Sequence, residues 1–154
     1  MRCKLQTVLF LALICFAASV VSQTNKTKAD SLYHVYLKES TDTGKVNLLV
    51  KISRQYEGKE RVKGLSFARE ALELARRIGY QKGICFSAST IADYYYNQLN
   101  YADGLKSYLT AADAGEKAGM YFELSQIYNA MGIIYSNQGR NDQALKYFMK
   151  VAKL

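Results

Sequence analysis

KGLSFAREALELARRIG, residues 63–79, and DGLKSYLTAADAGEKAG, residues 103–119, align without a gap at a spacing of 40. Gly64 stands over Gly104, Leu65 over Leu105, Ala71 over Ala111 and Gly79 over Gly119. Another 40 residues bring Ala144, Leu145, Phe148 and Val151 under Gly104, Leu105, Tyr108 and Ala111. The segments ahead of these repeat as well, with Tyr95, Asn97 and Gln98 returning as Tyr135, Asn137 and Gln138. Such a period marks an array of supersecondary units, each unable to bury its apolar face alone. The unit here reads as two helices joined by a tight turn.

Period and breakers favour helices over strands. Leu65, Ala68, Leu72 and Ala75 fall at steps of three and four, which line one face of a helix with 3.6 residues per turn. RRIG and EKAG are helix stops, because cations favour the carboxyl end and glycine takes the left-handed cap. The chain contains no proline, so its ten glycines carry the punctuation. Asp30 and Thr43 are expected N-caps, which places a short helix before the repeats.

These residues resemble the tetratricopeptide signature, W-x2-L-G-x2-Y, then A-x3-F, then P. The third copy is the nearest match, with Tyr128 in the tryptophan place, then Met131, Gly132, Tyr135, a turn at Gly139, and Ala144 with Phe148. The second offers Ala88, Ile91, Ala92, Tyr95, Gly104 and Tyr108; the first offers Leu49, Ile52, Ser53, Tyr56, Gly64 and Ala68. The closing proline is missing and the period exceeds the standard 34, so the units are of an elongated kind. The resemblance implies an all-α, right-handed α-solenoid of about three helix-turn-helix repeats. Its expected divisions are a signal peptide at 1–22, a linker at 23–29, a helix at 30–41, and repeats at 43–80, 81–119 and 120–154.

In that family the first helices of successive units line a concave groove. By register, the groove-facing residues are Asn47, Val50, Arg54 and Glu57, then Phe86, Ser89, Asp93, Tyr96 and Asn97, then Gln126, Asn129, Ile133, Ser136 and Asn137. Amides, hydroxyls and two aromatics in such a stripe suit an extended peptide whose backbone needs hydrogen-bond partners, although exposed amides also simply solvate a surface. Small residues at Ser53, Ala92, Gly132, Gly64, Gly104 and Ala144 should let helices approach, with Tyr56, Tyr95, Tyr135, Tyr108 and Phe148 filling the space beside them. In DYYYNQLNYADG, residues 93–104, Tyr95 is then the core residue and Tyr96 the groove residue. Tyr94 is expected towards a neighbouring helix or solvent. The basic and amide residues with which chaperone-binding members clamp a C-terminal carboxylate are not assembled.

A narrower resemblance is to the exported tetratricopeptide regions of bacterial, Bacteroidetes-type signalling proteins, which precede a membrane helix and an output domain. It implies a scaffold or sensor-side module with a protein or peptide partner. A small-molecule-binding sensor or an enzyme accessory subunit is the alternative. MRCK, then VLFLALICFAASVV, then a polar stretch from Ser22 has the pattern of a secretory signal peptide, which implies a periplasmic or cell-envelope location. The apolar run is short of the roughly 20 residues of a comfortable span, so an uncleaved N-terminal anchor is the secondary reading.

Removal of that segment takes Cys3 and Cys15 with it, leaving Cys85 as a lone thiol that can form no internal disulfide. The formal charge of +8 falls to +6 as Arg2 and Lys4 leave. Bases interleaved with acids, as in AREALELARR with Glu73 and Arg77 four apart, read as a solvated helix face rather than a nucleic-acid stripe. His34 is the sole histidine and has no neighbour at metal-ligand spacing. No catalytic group, metal site or cofactor is expected. The last helix displays Leu145, Phe148, Met149, Val151 and Leu154 without a polar cap, so a continuing array or self-association through this face is expected.

Overall fold

The computed structural model describes residues 28–56, 58 and 60–154. The signal segment and Glu57 lie outside them. Among the described residues the protein is all-helical, with seven helices and no strand. Helix α1 covers residues 28–38, followed by α2 (Asp42–Arg54), α3 (Arg61–Arg77), α4 (Gln81–Tyr96), α5 (Tyr101–Ala118), α6 (Tyr121–Asn137) and α7 (Asn141–Val151).

Packing follows chain order. The most extensive contacts join α4 with α5, α6 with α7 and α2 with α3; α3 rests on α4, α5 on α6, and α2 also reaches α4. Val46, Leu49, Val50, Ala71, Leu74 and Ala75 form a core between α2 and α3. A larger core between α4, α5 and α6 includes Cys85, Ala88, Tyr108, Leu124, Met131 and Ile134. Ile84 and Phe86 pack against both clusters and join them.

Four helix ends close in one way. The amide N–H groups of Tyr80, Asn100, Met120 and Arg140 each reach back five residues, to the carbonyls of Ala75, Tyr95, Gly115 and Tyr135, at 2.9–3.0 Å. This pattern requires a left-handed residue just past the helix, which glycine supplies without a Cβ penalty. Gly79, Gly119 and Gly139 take it at φ of 67°, 66° and 71°. Leu99, 40 residues before Gly139, takes it at φ 58°, the single positive-φ non-glycine among the described residues.

The helix starts differ from expectation. Asp30 lies inside α1 rather than capping it, and Thr41, not Thr43, caps α2 by accepting from the Gly44 amide at 3.2 Å. Glu39 reinforces that cap: its carboxylate accepts from the Thr41 amide and hydroxyl at 2.8 and 2.7 Å, which holds its pKa below the usual value.

The tyrosine cluster is also arranged differently. Tyr94, not Tyr95, is fully buried. The two side chains diverge by about 100° around α4, and it is the Tyr94 direction that faces the α2–α3 pair. Its hydroxyl donates to the Ser53 carbonyl at 2.6 Å. Tyr95 stays at the rim, where Arg69 Nη2 donates to its hydroxyl at 2.8 Å. Tyr135 is likewise half-buried; Phe148 does lie against Gly132 as expected, its ring in the space a Cβ there would take, but it stays 38% exposed because nothing covers the outer side of α7 among the described residues. Tyr56 and Tyr108 are buried as expected.

Candidate functional site

Helices α2, α4 and α6 contribute to one cleft of about 220 Å³, lined by Arg54, Cys85, Phe86, Ser89, Phe122, Glu123, Gln126 and Ile127. The spacing on each helix explains why they meet. Phe86 and Ser89 are one turn apart on α4, and on α6 Gln126 lies one turn beyond both Phe122 and Glu123, so each group shares a face. The C-terminal end of α2 delivers Arg54 from the side.

Arg54 is anchored by part of its guanidinium only. Its Nε donates to Thr90 Oγ1 at 3.3 Å, and Thr90 Oγ1 in turn donates to the Phe86 carbonyl at 2.8 Å. The terminal guanidinium N–H groups, the Ser89 hydroxyl and the Gln126 amide have no partner among the described residues. Phe86, Phe122 and Ile127 supply the apolar walls, and Phe122 is 70% exposed although it is a large apolar residue. Glu123 balances Arg54, so the cleft carries charge of both signs, although the two form no ion pair with each other.

Cys85 forms the floor and has no exposed surface. Burial, with a smaller contribution from Glu123, pushes its thiol up to about 11. The neutral thiol is a poor nucleophile at ordinary pH, and the carboxylate that shares the cleft with it, Glu123, disfavours its ionisation further. Its part is packing.

Four of the residues expected from register meet in this cleft: Arg54, Phe86, Ser89 and Gln126. The other described ones lie elsewhere. Asn47 is half-buried and accepts a long hydrogen bond, 3.5 Å, from the Tyr80 hydroxyl. Val50 is a core residue rather than a groove residue, buried in the cluster that α2 and α3 form together. Asp93 accepts from the buried Tyr108 hydroxyl at 2.5 Å, and that carboxylate, after burial itself, raises the Tyr108 pKa. Tyr96 packs on Tyr101 with ring centroids 6.0 Å apart, so it seals the α4–α5 seam instead of facing outward. Asn97, Asn129, Ile133, Ser136 and Asn137 are exposed along α4 and α6.

Phe122, Glu123 and Ile127 are not register positions; their counterparts in α4 are Lys82, Gly83 and Ser87, none of which suggests a cleft wall. The readable signal was the apolar pair Tyr121–Phe122 immediately after the Gly119 cap. His34 is exposed on α1, and no cluster of metal-ligating side chains occurs among the described residues. No described helix is long and apolar enough to cross a membrane. Comparison of the chain with protein-family models, with curated proteins and with solved structures finds no match.

Proposed function

We propose that this chain is an exported protein-interaction module of tetratricopeptide-like repeats, an α-solenoid of about three helix pairs that binds a peptide or protein segment across α2, α4 and α6. The observation that carries the reading is the α2–α4–α6 cleft. It pairs unsatisfied donors and acceptors on Arg54, Ser89 and Gln126 with apolar walls from Phe86 and Phe122. An extended segment offers what such a cleft lacks: backbone carbonyls and amides for the polar groups, and a side chain for the apolar gap. The 40-residue correspondence of the helix ends and the resemblance to the tetratricopeptide signature support the repeat reading. The signal-like N-terminus supports export, with a role as scaffold or sensor-side region in the cell envelope.

Capture of partners from an envelope extract tests this. Phe86→Ala and Gln126→Ala should each release a partner held by the unmodified chain, while far-UV circular dichroism stays constant. Equal capture by both variants would sink the cleft as the binding surface. The apolar face of α7, with Leu145 59% and Met149 50% exposed, is proposed to pair with a second copy; a strictly monomeric species at high concentration in sedimentation counts against that.

A further inference from the structure

Arg69, Leu72 and Arg76 share one stripe of α3, since steps of three and four residues remain on one face. Seven residues of rise separate the two arginine positions by about 10.5 Å. That stripe walls a second cleft, of about 380 Å³, with Ile91 and Tyr95 of α4 beneath it and Lys106 and Asp103 of α5 opposite. Ile91 is two residues, about 200°, round α4 from Ser89, so this cleft opens on the far side of α4 from the peptide cleft.

Its charge is uncompensated. The ion pairs among the described residues are Lys63–Glu60 and Lys117–Asp113, so Arg69, Arg76 and Lys106 take part in none. Arg69 donates to the Tyr95 hydroxyl at 2.8 Å. Asp103 is drawn into the start of α5, where it accepts from the Asn100 side-chain amide at 2.8 Å. Three cations against one engaged carboxylate leave an excess of two positive charges over a floor of Leu72 and Ile91.

We propose that this cleft binds a small organic phosphate monoester. Such a group carries about −1.5 to −2 at neutral pH, which matches the excess. Arg76 and Lys106 donate to the phosphate oxygens, the organic portion covers Leu72 and Ile91, and Arg69 with Tyr95 meets its far end. The volume falls in the range of about 300–1,000 Å³ usual for small-molecule sites. The site stands independently of the peptide cleft.

Calorimetric titration of the full chain with phenyl phosphate, inorganic phosphate and phenol tests it. Saturable binding of phenyl phosphate is expected, tighter than that of inorganic phosphate and absent for phenol. Arg76→Gln and Lys106→Gln should each weaken it at least about fivefold, as loss of one charge-assisted hydrogen bond does. Arg77→Gln, an exposed neighbour outside the cleft, should leave it unchanged. The proposal is overturned by an absence of saturable binding, by equal loss in Arg77→Gln, or by equal affinity for phosphate with and without the phenyl group.

Discussion

The Tyr94 hydroxyl reaches the Ser53 carbonyl at 2.6 Å, and its ring runs through the space where Gly64 has no side chain. A Cβ on Gly64 would stand 1.9 Å from that hydroxyl oxygen and 2.7 Å from the ring carbon bearing it. Ser53 completes the node by donating its own hydroxyl to the Gly64 carbonyl at 2.7 Å. Three residues from α2, α3 and α4 thus lock the first helix pair onto the next, with every buried polar group satisfied.

Tyr94 should therefore be the costly tyrosine. Tyr94→Ala is expected to destabilise by about 3–5 kcal/mol, as truncation of buried aromatics does, and Tyr94→Phe by about 1–2 kcal/mol through the lost hydrogen bond. Tyr95→Ala, at the rim, should cost about 1 kcal/mol or less. Urea denaturation of the three variants gives the order directly, and an equal cost for Tyr94→Ala and Tyr95→Ala would refute it.

Two helix glycines should respond with opposite sign. Gly64→Ala forces the fully buried Tyr94 ring to shift and should destabilise by about 1–3 kcal/mol. At Gly104 the nearest atom to an added Cβ is 3.6 Å away, an ordinary contact. Gly104→Ala should then stabilise by about 0.5–1 kcal/mol through helix entropy alone. Thermal melts that move both variants in the same direction would contradict this difference.

Leu99 occupies a left-handed conformation while 72% exposed, so its side chain gives little burial in return for the strain. Leu99→Gly should raise stability by about 0.5–1 kcal/mol, the steric relief exceeding the added entropy of the unfolded chain. Gly139→Leu should do the reverse. Denaturant midpoints measured side by side decide it.

The buried Cys85 thiol ties stability to alkaline pH. Its folded pKa is raised from the ordinary 9.0 to about 11, so above pH 9 the unfolded chain loses a proton that the folded chain keeps. The contribution is whole below about pH 9 and disappears as pH rises through about 11. Urea midpoints should fall across that window, with a shallower fall in Cys85→Ala. The raised Tyr108 acts in the same direction at higher pH, so the slope is reduced rather than abolished. In the folded protein at pH 8 the thiol should not react with a disulfide reagent, and in denaturant it should.

Much of the helix plan was legible before any coordinates. Gly79, Gly119 and Gly139 marked turns because a left-handed cap is a local requirement written in one residue type. Leu99 carried no such mark, although the 40-residue register assigned it the same place. Half-way round the helices, legibility ended. Val50 and Arg54 sit one turn apart on the same helix face, yet one is core and the other lines a cleft.

The sequence by itself determined the helices, their glycine-marked ends at Gly79, Gly119 and Gly139 and the close approach of small residues such as Ser53 and Gly64, because propensity, capping and volume act within a few residues. Only the tertiary structure decided that Tyr94 goes inward while Tyr95 remains at the rim, and that Arg54 meets Phe86, Phe122 and Gln126. Those outcomes depend on which neighbouring helix covers a given arc of α4 and α6. A rotation of about 100° per residue gives adjacent tyrosines different surroundings, and the helices that supply those surroundings come from elsewhere in the chain.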